Sequence, residues 1–371
     1  MNAEKLRTYV GWLLADEKQF QVQDALTELN AALANLSASP AEPSYQQSVA
    51  SAVAKLRQQM HLLEATYDVA QRRGVASIGA LRYFSDEMIS EIESSISQNA
   101  MTPAVVQKQV ADALARRQKY LDVLEGTRSN LRALSIAPDE LGEDEAEIGF
   151  QIPRDIFNNN LDGLVNELRA IRRIIRAFSE LATNSVEDIK VNSISTTDPT
   201  FYFGLGALTV AQIGYAVQWS LDRWKQVEDI RKVRAETLKI KSFTKAEIEE
   251  FFDKKITETV RQEIQQETSN LIGSSTPVGR KAEQANDIAW ALESLFARVE
   301  RGLTVEIRIS PPAPAKTEDG TDVSEPAVFD EIRQINRKLS FPSAEATPIL
   351  SLPIVPEDGR ARKTKSPPTP T

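Results

Sequence analysis

The chain carries one histidine, His61, and no cysteine. That excludes disulfides, zinc–thiolate sites, iron–sulfur clusters and thiol nucleophiles together. A lone imidazole also leaves no multi-histidine metal site and little histidine acid/base machinery. Catalysis would fall to carboxylates, Lys, Tyr or Ser. Glu247, Glu249, Glu250 and Asp253 gather the oxygen donors that hard cations prefer. Glu250 stands four residues before Lys254, however, and an i,i+4 pair on a solvated helix face accounts for the group more simply. No metal ligand and no cofactor is assigned. His61, set among helical apolar residues, reads as packing or surface.

Two glycine-containing stretches resemble phosphate loops only superficially. Gly204-Leu205-Gly206-Ala207-Leu208-Thr209 has Thr where the third glycine of a dinucleotide loop belongs, and no acidic strand end follows at the expected distance. Between Gly273 and Lys281 the glycine spacing is wrong, Pro277 interrupts, and no Ser or Thr follows the lysine. Both read as turns or linkers. The one place where a ligand pocket is expected is at the C-terminal ends of the first two strands. Asn158 and Asn159 stand there, with Ser195, Thr196 and Asp198. That edge is where open α/β sheets bind ligands, although the same residue types cap helices and build turns. A net charge of −9 supplies no basic face, so nucleic acid is not an expected partner. The tail cations Arg360, Arg362, Lys363 and Lys365 read as a solvated end.

The elements that must position these residues follow from periodicity. Leucines at spacings of three and four over 3–36 predict an amphipathic helix, followed by helices over 45–72 with Gly74 as the stop, after Ser85, and over 102–134 from a Thr102-Pro103 start. Residues 1–140 are thus expected to be an up-and-down helical bundle. An acidic run from Asp139 to Glu147 marks the boundary. From 141 to 310 the pattern predicts a three-stranded sheet packed by long amphipathic helices. The strands are 146–152, a second around Ile189 and Val191, and 303–309, the first two as a parallel pair with a right-handed crossover. Each strand has one apolar and one polar face, so helices should cover one side only. The helix expected from about Asp155, with its apolar stripe from Leu161 to Leu181, should turn Arg169, Arg172, Arg173 and Arg176 to solvent. A helix from about 206 to 241 is expected to bury its first half and expose a coiled-coil-like seam of Trp224, Val227 and Ile230. Thr244 and Glu247 form a capping-box pattern at the next helix start. Residues 311–371 read as a Pro-rich linker, one short helix at 324–338 and a disordered tail from 340. The fold class is mainly α with a small α+β part.

Every catalytic template fails on residue type or spacing, so the chain is not expected to be an enzyme. The expectation is a cytoplasmic helical adaptor or scaffold that binds a protein partner or itself. The alternative is a membrane-associated effector using the uncharged run 199–221, which is long enough to span a bilayer. Gln212 and Gln218, and an apolar stripe that continues past Asp222, favour a buried helix over a span. A small-ligand-binding α/β module is the third reading. At the N-terminus the run from Thr8 to Ala15 is uncharged, but Asp16 and Glu17 directly behind it argue against a secretory signal.

Overall fold

The computed structural model describes residues 2–195, 199–237, 245–272, 280–312, 326–341, 348 and 350–353. The chain divides into two compact units, Met1–Gly142 and Glu143–Thr371.

Unit 1 holds α1 (Ala3–Phe20), α2 (Val22–Ala38), α3 (Pro43–Thr66), α4 (Val69–Ser77), the single turn α5 (Leu81–Phe84), α6 (Asp86–Gln98) and α7 (Pro103–Ala133). Two of the four helices expected from periodicity are therefore interrupted, while those after Ser85 and from Pro103 run unbroken. The first breaks at Gln21, which takes the left-handed conformation with φ 51°. Glu17 secures the break, its carbonyl accepting from the Gln21 N–H and its carboxylate accepting from the Gln23 N–H at 2.8 Å. The second breaks before Asp68, which opens α4 through a reciprocal capping box with Gln71. Gly74 is no stop: it lies inside α4, where a Cβ would fall 2.4 Å from the Tyr9 ring, so its missing side chain lets α1 and α4 approach. Ser85 does cap α6. Leu13, Leu26, Leu29, Leu56, Met60 and Phe84 form a fully buried centre.

Unit 2 is built on an antiparallel sheet of four strands, β1 (Glu145–Gln151), β2 (Lys190–Ser195), β3 (Thr200–Leu205) and β4 (Thr304–Ser310), in the order β2-β3-β1-β4. This corrects the expected three strands. It also corrects the parallel pair, because β3 inserts between β1 and β2 and pairs antiparallel with both. The strand TFYFGL does alternate, but Tyr202 on its polar side disguises the period. The helices are α8 (Leu161–Thr183), α9 (Ala207–Thr237), α10 (Lys245–Ile272), α11 (Lys281–Val299) and α12 (Ala327–Lys338). Over the apolar sheet face, α9 packs on β1 and β4 and α12 on β4. Ile148, Phe150, Val305 and Ile307 meet Val210, Ile213 and Val217 in a core where none is more than 1% exposed.

The long uncharged run is split between β3 and the buried first half of α9. No described helix is long and apolar enough to cross a membrane. Two further expectations change. Arg173 is not a solvent residue: its guanidinium lies 4.3 Å over the Trp290 ring and donates to Asp287 at 2.8 Å. The tail is also not wholly detached, since Leu350 is 4% exposed and bonded to unit 2. The residues from 354 onward, including the tail cations, lie outside the described set.

Candidate functional site on the two faces of the sheet

The polar face of the sheet is a closed hydrogen-bond network, and two glycines make it so. Asn192 on β2 reaches over β3 to donate to Glu147 on β1 at 2.9 Å. It crosses at Gly204, where a Cβ would lie 3.0 Å from its side-chain oxygen. Tyr202 on β3 likewise reaches over β1 to donate to Glu306 on β4 at 2.8 Å. Its ring occupies the space above Gly149, where a Cβ would lie 2.5 Å away. Arg308, the register partner of Glu147, donates to that carboxylate at 3.0 Å, and Thr304 donates to Gln151 at 2.9 Å. Glu147 is 2% and Glu306 9% exposed. Burial at that depth requires the partners just named, so these carboxylates hold the strands in register.

The apolar face is covered unevenly. Beside β2 and β3 a groove of about 600 Å³ runs along α8, lined among others by Arg172, Ile175, Arg176, Val191, Ile194 and Phe203. Val191 and Ile194 are 57% and 54% exposed, and Val186, in the same groove, 45%. A bulge at Asn192 explains their alignment: the register passes from Val191↔Phe203 to Ser193↔Tyr202, so Val191 and Ile194 share a face although they are three residues apart. β2 is an outer strand of the sheet. The groove thus joins an apolar strip and a strand edge to charges of both signs, Arg172 and Arg176 with Glu187 and Asp188.

The other sequence candidates are placed as follows. Asn158 and Asn159 both have positive φ and turn the chain from the 3-10 segment Arg154–Phe157 into α8, with Asn160 as its cap. Asn159 accepts from Arg154 at 2.7 Å. Ser195 ends β2, facing Thr200, while Thr196 and Asp198 lie outside the described residues. The Gly204–Thr209 stretch has no room for a phosphate: the Glu187 carboxylate accepts from the Gly206 N–H and the Thr209 hydroxyl, both at 2.9 Å, and so fills the anion position at the start of α9. Of the expected seam, Val227 is 3% exposed and packed within unit 2, with Trp224 and Ile230 half-buried. The side chains of Glu247, Glu249, Glu250 and Asp253 lie outside the described set, as do residues 273–279. Among the described residues no group of His, Asp and Glu could hold a metal ion. His61 is exposed, 3.5 Å from Asp86.

Sequence reasoning missed Glu147, Asn192, Tyr202, Glu306 and Arg308. The available signal was Gly149 and Gly204 inside strand-period segments, which mark close approach across a strand. Neither protein-family models, nor curated proteins, nor solved structures gave a match to the chain.

Proposed function

We propose that this protein is a non-catalytic adaptor whose unit 2 binds an extended segment of a protein partner in the groove beside β2. One observation carries the reading: Val191 and Ile194 on an outer strand, and Val186 just before it, are exposed together in one groove. Isolated exposed apolar residues need no explanation, but a strip of them on a strand edge is a docking feature. Outer strands invite added strands, and the bulge at Asn192 limits how much of this edge can pair, which favours one specific segment over open-ended association. Arg176 on the α8 side suits an acidic residue in that segment. The side chains of the polar face engage one another, which suits a framework rather than a reacting centre.

The test is a photo-crosslinking residue at position 191 of the full-length protein, with the adduct mapped by mass spectrometry. The expected adduct is one extended apolar stretch bearing Asp or Glu, and Ile194→Asp should abolish it. A folded protein that gives no adduct, or an adduct indifferent to Ile194→Asp, would overturn the proposal.

A further inference from the structure

Directly after α11, Glu300 and Arg301 grip the backbone of a residue fifty positions away. The Glu300 carboxylate, whose side chain is fully buried, accepts from Arg231 at 3.0 Å and from the Leu350 N–H at 3.3 Å. Arg301 donates to the Leu350 carbonyl at 2.6 Å and to the Ala297 carbonyl at 2.5 Å. Two consecutive side chains of opposite charge thus satisfy both backbone polar groups of one residue, as a neighbouring β-strand would. The Leu350 side chain is 4% exposed, so an apolar seat accompanies the backbone grip.

Backbone recognition of this kind does not depend on the sequence it holds; the choice of occupant lies in the leucine seat. Pro348 and Pro353 flank the docked residue, and proline has no N–H to extend a ladder, so the hold is confined to a short stretch. It is strengthened by the tether to α12, whose Leu339 is 1% exposed and fixed, because ten intervening residues keep the segment at high local concentration. A buried carboxylate left without its backbone donor would lose a partner it needs. The clamp should therefore exchange occupants rather than stand open.

We propose that Glu300 and Arg301 form a peptide-recognition clamp for an extended, proline-flanked leucine segment of a partner protein, and that the chain's own Leu350 stretch is a displaceable latch occupying it. The site is separate from the groove beside β2 and does not depend on it.

The probe is a fluorescent peptide spanning residues 346–355, titrated by anisotropy into full-length protein. It should bind the Leu350→Asp chain at least tenfold more tightly than wild type, where the latch competes. The same peptide with Asp in place of its leucine at 350 should not bind. Adding Arg301→Ala to the Leu350→Asp chain should weaken binding at least tenfold with little change in the melting curve, and Leu350→Ala replaces Leu350→Asp if the latter does not fold. Equal binding to wild type and the latch variant, or none to a folded latch variant, would overturn the proposal. A wild-type dimer in sedimentation that Leu350→Asp dissolves would overturn the partner assignment in favour of exchange between copies.

Discussion

Both units bury an arginine, and the surroundings of the two differ in a telling way. In unit 1, Arg117 is 0% exposed and ties α7 to three other elements: it donates to the Tyr83 carbonyl at 3.1 Å, to Gln23 at 3.0 Å and to Glu17, while lying 4.9 Å over the Phe84 ring. The large exposed apolar residues of that unit, such as Leu62, Val105 and Val123, do not line its groove of about 380 Å³ between α6 and α7. In unit 2, Arg298 pairs with Glu167 at 2.7 and 3.0 Å and locks α11 to α8. There the exposed apolar residues gather beside an outer strand instead. A buried charge fixes helix packing in both units, and in unit 2 an apolar strip beside β2 lies exposed as well. On the proposed reading, that strip is the surface unit 2 offers to a partner.

The largest expected effect breaks the shared device. Arg298→Ala strands the Glu167 carboxylate in the core and should cost about 3–5 kcal/mol. Calorimetry of the full chain should show the loss in the transition of unit 2, with that of unit 1 unmoved. Gly149→Ala is next. Its Cβ would meet the Tyr202 ring at 2.5 Å, so the ring must leave Glu306, a cost of about 1–3 kcal/mol by the general penalty for overpacking. Gly204→Ala should be milder, because the Asn192 side chain that it meets at 3.0 Å can swing aside.

A pH dependence sharpens the contrast on the unit 1 side. Burial raises the pKa of Asp16 above its usual 3.8, against a lowering by the Tyr67 hydroxyl that donates to it at 3.1 Å. A carboxyl raised in the folded state stabilises the fold below its unfolded pKa, and that contribution is lost as pH rises through the folded value. Asp16→Asn keeps an acceptor for Tyr67 and removes the buried charge. It should raise the melting temperature at pH 7 relative to wild type and give a smaller gain at pH 4. A gain independent of pH would contradict the assignment. The smallest stability effect is expected in the groove, where Val191→Thr with Ile194→Thr should change stability by no more than about 0.5 kcal/mol, since both side chains are more than half exposed.

The helices of unit 1 and the strands at 145–151 and 304–310 were legible because their apolar residues repeat at helical or strand spacing over long stretches. Gln21 was not, since nothing in Phe20-Gln21-Val22 carries the glycine or proline that usually marks a turn; the break depends on the Glu17 carboxylate folding back. β3 was hidden by an aromatic on its polar face, and without β3 the β1–β2 pair looked parallel. The network was illegible for a related reason: Glu147 faces Arg308, and Glu306 faces Gly149, only once the register is known. The seam at Trp224, Val227 and Ile230 had the right spacing, but spacing says that a stripe is covered, not by what. In unit 2 α10 and α11 pack on α9 and take part of that surface. The groove depends on a single-residue bulge, which no periodicity announces.

If the strip beside β2 is the docking surface proposed above and the exposed apolar residues of unit 1 are not, equally exposed positions in the two units should behave differently. Ile194 and Val123 are both 54% exposed, which makes them a matched pair. A photo-crosslinking residue at each position of the full-length protein, in separate preparations from the same cells, compares them directly. A discrete adduct is expected at 194, mapping to one extended segment, and none at 123. Equal labelling at the two positions, or labelling at 123 alone, would contradict the proposed reading.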